Sequence, residues 1–157
     1  MSSMDLIQDE QQLAEACARV MYQGDQASQA LGIQVLEVAP GRARLSMQVR
    51  EDMLNGHRNC HGGMLFTLAD SAFAYACNSY NRATVASGCS IDYVAPGCAG
   101  DTLIAVAEER QRSGRTGVYD VCIYNQQQQP LAYFRGKSYQ VRGALLPESD
   151  PATPSSV

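Results

Sequence analysis

Two segments of the chain carry hydrophobic residues at helical spacing. In residues 10–23 one face collects Leu13, Ala14, Cys17, Val20 and Met21. Gly24 follows this face and is predicted to end the helix. The run 64–78 is apolar on nearly every side, which is typical of a buried helix. It is also rich in alanine, so we expect a sheet to approach it closely and wrap around it.

Six further segments are predicted to be strands. In residues 42–50 the alternation is clean, and one side collects Ala43, Leu45, Met47 and Val49. The other five segments are residues 33–38, 83–94, 102–111, 118–125 and 131–141. Short turns separate neighbouring segments, so the sequence predicts an antiparallel meander. One buried helix with six antiparallel strands is an α+β architecture.

Composition and charge narrow the class of protein. The chain has 157 residues, 45% of them apolar, which fits one domain with a proper core. The net charge is −4 and no long basic tract occurs, so we expect no nucleic-acid partner. The first residues lack the pattern of a signal peptide, and the longest apolar stretch, 64–77, contains Asp70 and is too short to cross a bilayer. We therefore expect a soluble, cytoplasmic protein without a membrane partner.

Cysteine spacing argues against a disulfide framework. The six cysteines form no CxxC pair. In a domain of this size they are predicted to be small buried hydrophobic residues that stay reduced.

Asp70 is the only formal charge between His61 and Arg82, and it falls in the predicted buried helix. Burying an unpaired carboxylate costs several kcal/mol and raises its pKa. Such a residue is either satisfied by nearby hydroxyls, here Thr67 or Ser71, or present to react. The sequence leaves both interpretations open.

The segment before that helix contains two adjacent glycines, Gly62 and Gly63. Free N–H groups at a helix start can bind an anion or a developing oxyanion, and glycine lets a ligand approach the backbone. A flexible helix entry without a ligand is the alternative. His57, Cys60 and His61 offer only three close ligands where structural zinc needs four, so no metal is expected; a Cys60–His57 nucleophilic pair is a weaker alternative.

Four basic residues are candidates for binding phosphate groups. Arg112 and Arg115 flank a glycine turn, and Arg135 and Lys137 share one face of the last strand. Scattered surface arginine and lysine residues are also ordinary, so this assignment depends on other signs of a ligand.

Several ordered, widely spaced motifs together resemble the PaaI-type hotdog thioesterases. The motifs are Leu54-Asn55-Gly56-His57, Cys60-His61-Gly62-Gly63, Leu68-Ala69-Asp70 with its continuation to Asn78, Pro96-Gly97 with Gly100-Asp101-Thr102-Leu103, Thr116-Gly117-Val118-Tyr119-Asp120, and Phe134-Arg135-Gly136-Lys137-Ser138. The likeness covers residues 31–143, which we take as a hotdog domain. Residues 1–30 are a helical segment before it, and 144–157 are predicted to be a disordered tail.

The resemblance implies a fold, an activity and residue roles. It implies a hotdog fold, in which an antiparallel sheet wraps one long helix, and hydrolysis of aryl- or phenylacetyl-type acyl-CoA without metal or other cofactor. By the same resemblance, Asp70 is the general base or nucleophile, the Gly62 N–H polarises the thioester carbonyl, and Asn55 and His61 assist. Gly63 and the four basic residues are then candidates for contacting the substrate.

The spacing of Gly62 and Asp70 indicates an oligomer. Eight residues on one helix give ~12 Å of rise, so one carbonyl cannot touch both groups. If both act, two chains share each active site, which agrees with the dimers, or dimers of dimers forming homotetramers, that the resemblance implies. The rival interpretations are a hotdog hydratase or dehydratase, whose His-containing loop motif we do not find, and a non-catalytic acyl-CoA sensor, which would not need Asp70.

Overall fold

The computed structural model describes residues 2–147. Three α-helices are present: α1 Ser3–Gly24, α2 Gln26–Ala30 and α3 Gly62–Cys77. The six strands are β1 Gln34–Ala39, β2 Arg42–Gln48, β3 Thr84–Tyr93, β4 Thr102–Ser113, β5 Thr116–Tyr124 and β6 Pro130–Gln140. A 3₁₀ turn, Glu51–Met53, precedes α3. The expected elements are therefore all present, with α1 and α3 starting earlier than the periodicity predicts.

The strands form one antiparallel sheet in the order β1-β2-β4-β5-β6-β3. The predicted α+β architecture is confirmed, but the meander is wrong at β3, which pairs with β6 at the far edge and not with β4. The connection between β3 and β4 is a crossover over the end of the sheet. Along it the Val94 N–H donates to Leu131 O (2.9 Å), the Cys60 N–H donates to Gly97 O (2.8 Å) and the Gly100 N–H donates to Val49 O (2.8 Å). These bonds satisfy the backbone of the crossover and hold the loop that leads into α3.

The core lies between α3 and the concave face of the sheet. The alternation predicted for β2 is confirmed, since Ala43, Leu45, Met47 and Val49 are all buried. At the centre the Phe73 ring of α3 lies flat against Gly136 of β6. A Cβ at Gly136 would stand 2.8 Å from the Phe73 ring, so only glycine lets the helix lie this close to the sheet.

Helix α3 is not buried on all sides, contrary to the sequence prediction. Gly63 is exposed, and Thr67, Asp70 and Ala74, which follow at helical spacing, are half-buried. We call these four residues the open stripe. It is open because the neighbouring strand β3 is the edge of the sheet and is itself exposed along most of its length. A helix can therefore be apolar in sequence and still leave one side to solvent or to another chain.

The N-terminal helix and the cysteines correct two smaller predictions. On α1, Ala14 and Cys17 are buried as expected, but Val20 is exposed. Cys89 and Cys98 are exposed, so the expectation that all six cysteines are buried is wrong; no disulfide forms within residues 2–147. Cys98 lies in the connection between β3 and β4, and Cys89 lies on β3, the exposed edge strand of the sheet.

The C-terminal end of the described chain is held by one side chain. The Asn81 Oδ1 accepts from the N–H groups of Leu145 and Leu146, at 3.0 and 2.9 Å. The remainder of the predicted tail, residues 148–157, lies outside the described residues. Of the helices in residues 2–147, none has the length and apolar character needed to cross a membrane.

Candidate active site

Asp70 lies at the middle of the open stripe with its carboxylate unpaired. Within residues 2–147 it forms neither a hydrogen bond nor an ion pair, and partial burial raises its pKa above the ordinary value. The two hydroxyls that could have satisfied it bind helix carbonyls instead. Thr67 Oγ1 donates to Gly63 O (2.9 Å) and Ser71 Oγ donates to Thr67 O (2.7 Å). Of the two interpretations that the sequence left open, the geometry favours the reactive carboxylate.

The first turn of α3 presents a free backbone donor. His61 is the N-cap, and its Nδ1 accepts from the Gly63 N–H at 2.9 Å. This bond uses the only N–H of Gly63, so that residue has no backbone donor left for a substrate. The Gly62 N–H, in contrast, enters none of the hydrogen bonds formed within the described chain. A free N–H at a helix start is suited to an oxyanion.

Asn55 builds the loop that lies beside that turn. Its Oδ1 accepts from the N–H groups of His57 (3.0 Å) and Asn59 (3.1 Å), which closes a tight turn. A bridge between Leu54 and Cys60 joins this turn to the start of α3. The side-chain oxygen of Asn55 is thereby occupied, and only its Nδ2 is left to contact a water or a substrate.

Sequence reasoning missed Tyr93, the last residue of β3. Its hydroxyl donates to Gly62 O at 2.9 Å, and its ring lies against the Gly62 Cα. The sequence signal was weak, since an aromatic residue at a strand end is common. Only the pairing of β3 with β6 brings this side chain to the start of α3.

Cys89 and Cys77 border the carboxylate. Burial, and after it the negative charge of Asp70, raises the pKa of the Cys89 thiol. Burial first, with a smaller contribution from Asp70, raises the pKa of Cys77 to about 12. The inner side of β3 therefore faces the open stripe, with Cys89 at the Asp70 end and Tyr93 at the Gly62 end.

The other sequence candidates for chemistry at the helix entry do not assemble. Burial raises the pKa of Cys60 to about 11, and its thiol points to the His61 carbonyl at 3.8 Å, not to His57. A thiol with so high a pKa is a poor nucleophile at neutral pH. In residues 2–147 no three His, Cys, Asp or Glu side chains converge on a metal position.

Two of the four basic candidates are engaged in ion pairs. Arg135 binds Asp120 through two nitrogens, at 2.6 and 2.8 Å, and Arg112 lies 3.7 Å from Glu109 with its guanidinium over the Tyr80 ring. Lys137 and Arg115 form no ion pair within the described residues. The structure does not bring the four together at one point: Arg112 and Arg115 lie at the β4–β5 turn, while Arg135 and Lys137 lie on the outer face of β6.

Two features together define a class of protein. The first is a six-stranded antiparallel sheet with one long helix packed against it, and the second is the free N–H and the carboxylate on that helix. The sequence profile of the Thioesterase superfamily matches residues 57–132, which include Gly62 and Asp70. The chain belongs to this superfamily, and the predicted hotdog fold and thioesterase class are confirmed.

Particular relatives agree with this membership. The acyl-coenzyme A thioesterase PaaI of Escherichia coli K12 is 52% identical over 132 residues, which are 84% of this chain and 94% of that protein. A solved structure of the E. coli PaaI protein, from its phenylacetic acid degradation operon, superposes with a TM-score of 0.84 at 51% identity, covering 85% of this chain and 97% of that one. A Streptococcus mutans UA159 protein solved with bound acetyl-CoA matches with a TM-score of 0.69 at 26% identity, covering 71% of this chain and 90% of the other.

Proposed function

We propose that this protein hydrolyses aryl- or phenylacetyl-type acyl-CoA thioesters to the free acid and CoA, in the cytoplasm and without a metal ion. The observation that carries the proposal is the unpaired, half-buried Asp70 on the same helix as the free Gly62 N–H. A sensor of acyl-CoA would gain nothing from a desolvated carboxylate, whereas a hydrolase uses one as base or nucleophile. The relatives named acyl-CoA thioesterase and solved with acetyl-CoA support the choice of thioester.

In the proposed mechanism, the thioester carbonyl accepts a hydrogen bond from the Gly62 N–H. Negative charge develops on that oxygen when the carbonyl carbon is attacked, and a well-placed donor stabilises it by ~3 kcal/mol. On one route Asp70 removes a proton from the attacking water, the C–S bond breaks, and CoA leaves as a thiolate that takes up a proton. On the other, Asp70 attacks the carbonyl carbon itself, the C–S bond breaks to expel the CoA thiolate and leave a mixed anhydride, and water then hydrolyses the anhydride to the free acid and restores Asp70. Asn55 Nδ2 and His61 lie at the helix entry, where they can orient the water and the carbonyl.

The proposed active site is shared between two chains. Gly62 and Asp70 are ~12 Å apart along α3, too far for one carbonyl. The outer edge of β3 has no partner strand within residues 2–147, and its inner face borders the open stripe. An unpaired edge of ten residues is a ready site for pairing with a second copy. Two-fold pairing at β3 would set the Gly62 of one protomer against the open stripe of its partner, in a dimer or a dimer of dimers.

The four basic candidates differ in how free they are to bind the CoA phosphates. Because Arg135 and Arg112 already face carboxylates, we assign the principal phosphate contacts to Arg115 and Lys137. Arg112 and Arg135 would contribute only after exchanging their present partners for phosphate.

Release of free thiol tests the proposed activity directly. Purified protein should release CoA from phenylacetyl-CoA and related aryl thioesters, at the same rate with and without EDTA, because no metal takes part. A thiol reagent measures CoA, and an enoyl-CoA assayed in parallel reports any loss of its enoyl chromophore. Loss of enoyl absorbance without thiol would identify a hydratase, binding without either change would identify a sensor, and activity restored by zinc after EDTA would overturn the metal-free mechanism.

Mixing two inactive variants tests the shared site. Asp70→Asn and Gly62→Pro each remove one half of it. If chains are unfolded, mixed equally and refolded, half of the dimers carry one chain of each kind, and half of their sites are intact. The mixture should therefore regain about a quarter of the parental activity for a site built across a two-fold interface.

Each variant refolded alone is the control, and native mass spectrometry establishes that chains exchanged. If every site were built within one chain, each would retain one lesion. Exchange without recovered activity would therefore reject the shared site while leaving the hydrolase assignment in place.

A further inference from the structure

Tyr93 makes two contacts with the same glycine. Its hydroxyl donates to the Gly62 carbonyl at 2.9 Å, and its ring fills the space that a side chain at position 62 would occupy. A Cβ built on Gly62 would stand 3.1 Å from the Tyr93 Cζ and 3.2 Å from its oxygen. Any side chain at position 62 would therefore press against the end of the tyrosine ring that buttresses this glycine.

The peptide group between Gly62 and Gly63 is held at both ends. Its carbonyl accepts from Tyr93, and its N–H donates to His61 Nδ1 at 2.9 Å. The Gly62 N–H belongs to the preceding peptide group and forms no hydrogen bond within residues 2–147. Because glycine has the widest backbone freedom of any residue, two fixed contacts on this peptide limit the directions that the free N–H can take.

We propose that Tyr93 is a positioning residue for the Gly62 oxyanion donor. The inference rests on the proposed function, in which the Gly62 N–H stabilises the charge that develops on the thioester oxygen. The hydroxyl of Tyr93 does not touch the reacting atoms; it holds the first turn of α3 so that the donor N–H stays aimed into the cleft. Its ring forms one wall of the approach to that donor.

The exposure of Tyr93 argues against a role in packing alone. The side chain is 50% exposed and lies outside the buried core. Its only side-chain hydrogen bond within the described chain is the one to Gly62. In the single chain a bond at so exposed a position contributes little to the free energy of unfolding, whereas a misplaced oxyanion donor lowers the rate.

The test is Tyr93→Phe, which removes only the hydroxyl. We expect kcat to fall about tenfold, less than for complete loss of a donor, with KM nearly unchanged, since the donor acts chiefly in the transition state. Tyr133→Phe is the matched control: Tyr133 is similarly exposed, lies on the outer face of β6 and forms no side-chain hydrogen bond in the part of the chain described. Both variants should unfold at the parental temperature.

A second measurement reports on the surroundings of the Gly62 N–H without using enzyme activity. With ¹⁵N-glycine the protein gives at most 13 glycine amide signals, and Gly62→Ala identifies one of them. Tyr93→Phe should move the Gly62 signal and leave most of the other glycine signals in place. An unmoved Gly62 signal, or an unchanged kcat with a moved signal, would overturn the positioning role.

The double variant Gly62→Pro with Tyr93→Phe distinguishes a failure of the Tyr93 positioning role from a failure of the Gly62 oxyanion role. Proline removes the Gly62 N–H, so Tyr93→Phe should then cause no further loss of kcat. A full tenfold loss on top of Gly62→Pro would mean that Tyr93 acts independently of the donor and would reject the inference. If Gly62→Pro itself kept parental activity, the oxyanion role of Gly62 would fail first.

Discussion

Asp70→Asn should lower kcat for acyl-CoA hydrolysis by about 10²- to 10⁴-fold, the usual range for loss of a general base. Asparagine has nearly the same shape, and Asp70 makes no hydrogen bond within residues 2–147 that the fold would lose. The variant should therefore fold normally. Thiol release followed over time measures the rate, and circular dichroism and thermal unfolding establish the fold.

The same substitution should raise the unfolding temperature at neutral pH. Burial raises the pKa of Asp70 in the folded protein, so the folded state holds this proton more tightly than the unfolded state does. The contribution of Asp70 to stability is therefore lost as pH rises through the folded pKa, and the ionised carboxylate destabilises the fold above it. The parent's kcat/KM should rise with pH over the same window, because only the ionised form is a base or nucleophile.

Two results would contradict this account. If folded Asp70→Asn stayed within a few-fold of parental kcat, Asp70 would be a structural residue. If its unfolding temperature fell below the parent's at neutral pH, the carboxylate would have a stabilising partner, which in an assembled dimer would come from the second chain.

Gly62→Pro should lower kcat by about 10²- to 10³-fold relative to Gly62→Ala, as expected for the loss of one oxyanion donor. Both substitutions add a Cβ against the Tyr93 ring, but only proline also removes the N–H. Comparing them cancels the crowding and leaves the effect of the donor. Proline is well suited to this position, since Gly62 is the first residue of α3.

The residue before Gly62 is also compatible with the substitution by proline. His61 has φ −58° and ψ 134°, in the extended range that a following proline favours. Gly62→Pro should consequently keep the helix, which far-ultraviolet circular dichroism checks. Equal rates for the proline and alanine variants would remove Gly62 from the mechanism, whatever the absolute rate of either.

The sequence predicted the elements well because their signals are local. Alternation located β2 with the correct face inward, and the lone charge in an apolar run singled out Asp70. The sequence prediction failed where the outcome depends on which strands become neighbours in the sheet. The meander placed β3 beside β4, whereas the crossover of residues 94–101 carries the chain across the end of the sheet and leaves β3 next to β6.

That one difference explains the features of the site that the sequence missed. Because β3 is an edge, α3 keeps an open stripe and Asp70 is half-exposed. Because β3 runs beside β6, Tyr93 reaches Gly62. The pairing of β5 with β6 likewise sets Arg135 against Asp120, whereas the Asn55 oxygen closes its own loop through a local contact that the sequence analysis did not predict.

The contact between Phe73 and Gly136 has an evolutionary consequence. Phe73 lies about one helical turn beyond Asp70, so a displacement of the helix at Phe73 also displaces the Asp70 carboxylate. A single mutation that enlarges position 136 would push α3 off the sheet, because the ring already occupies the place of a Cβ. Positions 73 and 136 can therefore change only together. A smaller residue must first replace Phe73 on the helix before a larger one can replace Gly136 on the strand. An ancestral line could pass between the two arrangements only through a temporarily loosened core, with the Asp70 carboxylate displaced along the way.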